Sequence, residues 1–159
     1  MKFPRPFLAV GAAAFLLTPG SAFACAMALR HDTARQLTAH AREVFRRSTA
    51  IIDAEVVEPT RGSRPAHLRP IRVLKGPSLS VFLVAQLTSC DIDFPRRGDR
   101  VRVILEGGPA LFTASQEDHG MDYGDGRATE QFLAAVDKLG GRPFPPGFTR
   151  PGTEAPPPR

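Results

Sequence analysis

Two cysteines, Cys25 and Cys90, are the residues of this sequence with the clearest capacity for chemistry. Cys25 follows a basic start, an apolar run over residues 7–17, a Pro-Gly pair and an A-x-A arrangement formed by Ala22 and Ala24. These features are typical of a secretory signal peptide that is cleaved after the second alanine. Cleavage there leaves Cys25 as the first residue, with a free α-amine beside its own thiol.

The sequence therefore predicts a signal peptide at residues 1–24 and a secreted or periplasmic mature protein. The apolar run is too short to span a bilayer, and no other stretch approaches the roughly 20 residues of a transmembrane helix, so we expect no transmembrane segment. Lipoprotein anchoring at Cys25 is the alternative, because lipid attachment also leaves a cysteine first. Ala22 and Phe23 stand where lipoprotein signals usually carry leucine and a small residue, which favours the soluble form.

Both cysteines remain after this cleavage, and an oxidising compartment favours a disulfide between them. With two cysteines only one intramolecular pairing exists. A Cys25–Cys90 bond would close a loop of about 65 residues, which the chain-entropy model values at about 4 kcal/mol. Two free or intermolecular thiols are the alternative.

Composition and motifs argue against nucleic-acid binding and catalysis. The formal net charge is +5 and the arginines are scattered, so no polybasic tract indicates a nucleic-acid or membrane surface. A single tyrosine, Tyr123, and no tryptophan offer almost no platform on which bases could stack. The sequence contains no G-x-S-x-G, H-E-x-x-H or C-x-x-C motif. We therefore expect neither an enzyme nor a cofactor.

An acidic loop at residues 117–125 and two histidines are the remaining candidates for metal binding. The loop has the carboxylates and glycines that a Ca²⁺ site uses, but their spacing fits no known calcium loop. We favour an ordinary acidic loop, with Ca²⁺ binding as the alternative. His31 and His40 have no Cys, Asp or Glu at metal-site spacing beside them and are predicted to face solvent.

Hydrophobic periodicity predicts two helices. The first begins at an N-cap, Asp32 or Thr33. Its apolar positions recur at helical spacing and are Leu37, Ala41, Val44 and Phe45. The second covers residues 129–139, with an apolar stripe that consists of Phe132, Leu133, Val136 and Leu139.

Between the two helices, alternating and β-branched stretches predict five strands. They cover residues 50–57, 67–74, 78–87, 100–106 and 110–114. The third strand has the most regular alternation, which places its odd-numbered residues, Leu79 to Leu87, in the core. The fourth buries its valines and exposes its arginines. Pro70 in the second strand indicates a sheet edge or a bulge.

These elements predict a mainly β fold, a small five-stranded OB-like closed barrel with one helix before it and one after it. A β-sandwich is the alternative, although five strands are few for one. The barrel domain covers residues 25–140. Residues 141–159 are proline-rich and without periodicity, which predicts a disordered tail.

The order of these features resembles a known family. A leading cysteine and a short helix precede the strand STAIIDAEVVE, a strand ending in VLKGP, an alternating strand that leads to Cys90, and a Gly-Asp turn before RVRVILEGG. The order resembles the netrin-like module of the tissue inhibitors of metalloproteinases and their bacterial relatives. The resemblance covers roughly residues 25–114, and VLKGP and the placement of the two cysteines are its most specific parts.

The resemblance implies a mechanism. In that family the first cysteine is bonded to the cysteine that corresponds here to Cys90. Its α-amine and carbonyl chelate the catalytic zinc of a target protease, which implies that role for Cys25. The second residue, here Ala26, enters the specificity pocket of the protease. An α-amine titrates near pH about 8, so a neutral fraction is available for zinc, and chelation would displace the water that the protease needs as nucleophile.

The sequence also departs from the family pattern. Met27 stands where the family has its second cysteine, and the further cysteines of the module are absent, so only one of its disulfides can form. The expected partner is a zinc metalloproteinase or another extracytoplasmic protein, bound by a monomer. Because a fold does not fix a function, a non-inhibitory envelope or lipid-anchored protein-binding module is the alternative.

Overall fold

The computed structural model describes residues 29–123 and 126–151. The predicted signal peptide, Cys25 and Ala26 therefore lie outside the described residues. The elements in chain order are α1 (Ala34–Arg47), β1 (Ala50–Glu58), β2 (Ala66–Lys75), β3 (Phe82–Val84), β4 (Arg100–Gly108), β5 (Leu111–Thr113), a 3₁₀ turn (Glu117–His119) and α2 (Gly126–Leu139). Thr33 caps α1 through a capping box with Gln36, which confirms one of the two predicted N-cap residues.

The five strands form a closed barrel in the order β1-β2-β3-β5-β4. Neighbouring strands are antiparallel except β3 and β5, which pair in parallel through Val84 and Phe112. One helix precedes the barrel and one follows it. The predicted fold class, a mainly β, OB-like five-stranded closed barrel between two helices, is confirmed.

The apolar core has two parts, one on each side of the barrel wall. Inside the barrel, the valines of β4 face inward as predicted, alternate residues of β1 do the same, and Phe82 and Phe112 meet at a ring-centroid distance of 5.1 Å. Outside it, Ile51 and Ile104 pack against α1 and α2. Because β1 and β4 are covered on both faces, only one of their two apolar faces could be recognised from alternation.

The third strand differs from its prediction in length and in face. β3 pairs for only three residues, and its buried residues are Phe82 and Val84. Val81 and Leu87, predicted to be in the core, are 38% and 68% exposed. Aliphatic residues occupy both faces of this stretch, so alternation cannot set its register, and the large ring of Phe82 takes the interior position.

Pro70 lies at a β-bulge, which was one of the two predicted alternatives, a sheet edge or a bulge. The pairing of β1 with β2 shifts between Asp53 and Ala54, whose partners are Arg72 and Pro70. The residue between these two partners has no opposite neighbour in β1. A proline is tolerated there because the ladder hydrogen bond that it cannot donate is already interrupted.

Lys75, in the VLKGP stretch, joins the end of β2 to the end of α1. Its ammonium group donates to the carbonyl oxygens of Phe45, Arg46 and Ser48, which the helix leaves without intrahelical partners. Burial, together with the positive charge of Arg46, lowers the pKa of Lys75. This lysine therefore acts as a C-terminal cap for a helix that lies about 30 residues earlier.

Arg102, predicted to be exposed on β4, is buried with 3% of its surface accessible. Its guanidinium makes two bonds to the Asp53 carboxylate, at 2.6 and 2.9 Å, and one to Asp137 at 3.0 Å. Arg150 binds the other oxygen of Asp137 at 2.7 Å. The correction has a tertiary cause, because α2 and the chain after it cover the outer face of β4.

Residues 142–151, the start of the segment predicted to be a disordered tail, contact the barrel. The Thr149 N–H donates to the carbonyl of Arg100 at 2.8 Å, and Phe144 lies under the guanidinium groups of Arg102 and Arg150 at 5.4 and 4.1 Å. These are single contacts without periodicity, so no sequence pattern indicates them. Residues 152–159 lie outside the described residues.

Candidate functional site

Three connections meet at one end of the barrel. The register pairs Glu58 with His67, Ala66 with Val84, and Val84 with Phe112 in parallel, so the β1–β2 hairpin leaves the barrel at the end where β3 and β5 finish. We call this the cysteine end. It consists of the hairpin (residues 59–65), the β3–β4 loop (85–99) and the segment after β5 (114–123).

Cys90 lies on the β3–β4 loop, in a turn fixed by backbone bonds. Its carbonyl accepts the Gln116 N–H at 2.8 Å, and the Ile92 N–H donates to the Ala114 carbonyl at 2.7 Å. The Asp91 side chain closes the turn by accepting two backbone N–H groups of this loop, at 2.9 and 2.7 Å. The loop is thereby paired with the segment after β5.

Cys90 is disulfide-bonded, and no free thiol occurs in the part of the chain that the structure describes. The other end of the predicted bond, Cys25, lies outside the described residues. The Cys25–Cys90 pairing therefore stays a prediction, although the state of Cys90 agrees with it.

The described chain begins with a segment that Arg30 anchors to the cysteine end. The Arg30 N–H donates to the Asp122 carbonyl at 3.0 Å, and its guanidinium lies 2.9 Å from the carboxylate of Asp32 and 3.8 Å from that of Glu117. The same guanidinium is 5.8 Å from the ring centroid of Tyr123. One arginine thus joins the chain before α1 to the segment after β5.

Tyr123 contacts both Arg30 and its ion-pair partner Asp32. Its hydroxyl donates to Asp32 at 3.3 Å and lies 2.8 Å from Nδ1 of His40, whose ring stacks on Phe132 at 4.9 Å. Burial raises the pKa of Tyr123 to about 12, so the phenol stays protonated, and burial with the charge of Arg30 lowers the pKa of His40. His40 is half-buried, which corrects its predicted solvent-facing position, whereas His31 is exposed as predicted.

Arg30 and Cys90 contact adjacent residues of the segment after β5. Arg30 contacts Glu117, and the preceding residue, Gln116, bonds to Cys90. Cys25 is five positions before Arg30, and an extended chain over five positions reaches at most about 17 Å. Arg30 is thus anchored to the same segment that bonds to Cys90, a position that is compatible with the predicted Cys25–Cys90 disulfide.

Two exposed leucines lie close in sequence to Arg30 and Cys90. Leu29, next to Arg30, is 64% exposed, and Leu87, three residues before Cys90, is 68% exposed. Both side chains are therefore accessible to a protein partner.

The acidic loop gives no sign of a calcium site among its described residues. The buried carboxylate of Asp118 pairs with Arg47, and that of Asp122 is buried with its Oδ1 unpartnered, so that burial raises its pKa. Within residues 29–123 and 126–151 no three His, Cys, Asp or Glu side chains are grouped as a metal site would need. Asp125 of the predicted loop lies outside these ranges.

His119 is a buried histidine whose role the sequence does not indicate. It is 2% exposed, and its Nε2 accepts the Ile104 N–H of β4 at 3.0 Å. Nδ1, which therefore carries the proton, donates to the Ser115 carbonyl at 2.8 Å. Burial lowers the pKa of His119 to about 4. The imidazole thus serves as a neutral link between the segment after β5 and the barrel wall.

We expect this link to make stability depend on pH. Between pH about 6.5 and about 4 the unfolded chain binds a proton at His119 that the folded chain does not, so the free energy of unfolding falls as pH decreases, by on the order of 3 kcal/mol. His119→Gln, which keeps an acceptor for the Ile104 N–H, should be less stable at pH 7 but lose less on acidification. Urea unfolding at pH 7 and pH 4.5 measures this.

The matched control is His31→Gln, because His31 is an exposed histidine that lies before α1 and outside the barrel. Asp122 changes the free energy of unfolding in the opposite direction, because a raised carboxyl pKa gives stability that is lost as pH rises. This contribution is the same in the wild type and in both histidine variants. Equal losses on acidification in wild type and His119→Gln would contradict the assignment.

Neither a family model nor a curated protein nor a solved structure matches this chain. Among the helices of the described ranges, none combines the length and the apolar character needed to cross a membrane. The geometry of the cysteine end is therefore the main guide to function.

Proposed function

We propose that this chain is a secreted, netrin-like binding module that inhibits a zinc metalloproteinase. Cys25, as the first residue of the mature protein, would chelate the protease zinc through its α-amine and carbonyl, and Ala26 would enter the specificity pocket. The observation that supports this proposal best is the anchoring of the chain at Arg30 next to the disulfide-bonded Cys90.

The physical basis is preorganisation. A chain terminus normally loses conformational freedom when it binds, which weakens the complex. Here Arg30 fixes the segment at one point through three carboxylates and one ring, and a bond to Cys90 would fix it at a second. The conformational entropy of the terminus is then lost during folding and not on binding. A larger part of the zinc–nitrogen interaction energy therefore contributes to the affinity.

The surface around the terminus fits a protein partner. The exposed side chains of Leu29 and Leu87, each close in sequence to Arg30 or Cys90, would be covered if a protease bound at this end of the barrel. The inhibitor needs no catalytic group or cofactor of its own, because its action is to displace the zinc-bound water of the target. One copy of the chain supplies the whole contact, in keeping with a monomer.

The decisive experiment changes only the terminus. The mature protein beginning at Cys25 and a variant with one alanine added before it are titrated against a panel of zinc metalloproteinases. The added residue removes the α-amine from Cys25, so we expect inhibition to weaken by about tenfold or more. A variant with one alanine added at the C-terminus is the matched control. Equal potency of the two N-terminal forms would exclude chelation.

A non-inhibitory, envelope or lipid-anchored protein-binding module is the second candidate. Leu29 and Leu87 favour it, because their exposure suits a protein contact that needs no free amine. The intact mass of the exported protein separates the lipid-anchored form of this candidate from the inhibitor. A lipid-modified Cys25 could not chelate zinc, whereas an unmodified Cys25 joined to Cys90 could.

A further inference from the structure

A cationic cleft of about 420 Å³ lies between the β1–β2 hairpin and the β3–β4 loop. Arg61, Arg64, Arg97 and His67 line it, together with two prolines and one carboxylate, Glu58. Three arginines thus line the cleft with a single acidic residue, in a volume that is typical of small-molecule sites.

The arginines of the cleft are available for a ligand. Across residues 29–123 and 126–151, neither Arg61, Arg64 nor Arg97 forms an ion pair. The neighbouring Arg96, by contrast, is occupied by Asp99 at 3.2 Å. The one acidic group of the cleft is already close to the imidazole of the cleft, at 3.4 Å. The cleft therefore carries excess positive charge that no described carboxylate neutralises.

Backbone bonds hold the two walls in place. Arg61 and Arg64 exchange backbone hydrogen bonds of 3.2 and 3.0 Å, which closes the hairpin. Thr60 donates its N–H to the Phe94 carbonyl at 3.1 Å and accepts the Phe94 N–H on its hydroxyl at 3.3 Å. The Gly98 N–H donates to β1 at 2.8 Å. The arginines are thus carried by a framework that a ligand would not have to order.

We propose that this cleft binds a compact anion that carries two or more oxyanion groups, carboxylate or phosphate. Guanidinium groups bind such oxygens in pairs, and a multivalent anion can engage several arginines at once. Two proline rings and the stem of Val57 provide apolar walls for the body of such a ligand. The site does not involve the chain terminus and is independent of protease inhibition.

Titration calorimetry with the mature protein tests this at low ionic strength. Citrate and pyrophosphate are the probes, with inorganic phosphate as the single-anion reference. We expect at least one polyanion to bind about tenfold or more tightly than inorganic phosphate. Binding by citrate alone or by pyrophosphate alone supports the proposal and identifies the oxyanion as carboxylate or phosphate.

Two double variants separate the cleft from general charge. Arg61→Gln with Arg64→Gln should weaken binding by about tenfold or more. Arg35→Gln with Arg42→Gln removes the same charge from the exposed face of α1 and should change it less than about twofold. Equal losses, or no polyanion preferred over phosphate, would overturn the proposal. So would a hexaglutamate peptide that binds where the small anions do not, because the cleft would then be part of a protein-binding surface.

Discussion

Arg102→Met is expected to lower the free energy of unfolding by about 3–5 kcal/mol. The substitution keeps a long apolar stem but removes the guanidinium that lies between the carboxylates of Asp53 and Asp137, which are 1% and 8% exposed. An ion pair buried in this way adds little net stability when intact. Removing one partner, however, leaves uncompensated negative charge in a region from which water is excluded.

The geometry explains why no other side chain can replace this arginine. The guanidinium makes two bonds to Asp53, one to Asp137 and two more to the carbonyl oxygens of Arg142 and Pro143, at 3.2 and 3.1 Å. An ammonium group has three donors that radiate from one point and cannot reach both carboxylates and the chain after α2 together. Arg102→Lys should therefore recover only a small part of the loss.

Urea unfolding at pH 7 measures the effect, and Arg100→Met is the matched control. Arg100 lies on the same strand but is exposed, and its contacts with Thr149 use backbone atoms. Its replacement should change stability by no more than about 0.5 kcal/mol. Similar, small losses in the two methionine variants would show that water or other cations reach Asp53 when Arg102 is absent.

The same residue shows how far the sequence can predict this fold. Alternation along β4 places Arg102 correctly on the outer face of the barrel, opposite Val101 and Val103. It cannot predict burial of that face, because the cover comes from α2 and residues 142–151, and their contacts depend on tertiary packing. Helix positions, the positions of four strands and the barrel class follow from local patterns, whereas strand pairing and the register of β3 do not.

The candidate site divides in the same way. The position of Cys90 in the loop after the third strand follows from the sequence, whereas the terminal position of Cys25 stays a prediction from its cleavage pattern. The anchor between Arg30 and Tyr123 does not follow from the sequence, because it joins residues about 90 positions apart and needs only single polar side chains. Tyr123 is the only tyrosine of the chain, yet nothing around it in sequence indicates that it lies beneath the N-terminal segment.

Gly76→Ala is expected to lower the free energy of unfolding by about 3 kcal/mol or more. Gly76 has φ +101°, which an L-residue rarely adopts, and an added Cβ would lie 2.5 Å from the carbonyl oxygen of Thr49 and 2.8 Å from the Cβ of Ala50. Neither neighbour can move freely, since Ala50 begins a strand that is paired on both sides. The substitution therefore has two free-energy costs, one from steric overlap and one from backbone strain.

Gly62→Ala is the control that separates these two causes, with urea unfolding again as the measurement. Gly62 also has a positive φ, +56°, but at the tip of the hairpin no described atom lies within 4 Å of the point that an added Cβ would occupy. Its replacement should cost only the strain, about 1–2 kcal/mol. Comparable losses at both glycines would mean that β2 can draw away from Thr49. In that case the close approach of Gly76 to Thr49 and Ala50 would not explain why glycine follows Lys75 in VLKGP. The Lys-Gly pair would then serve only to cap α1 through Lys75.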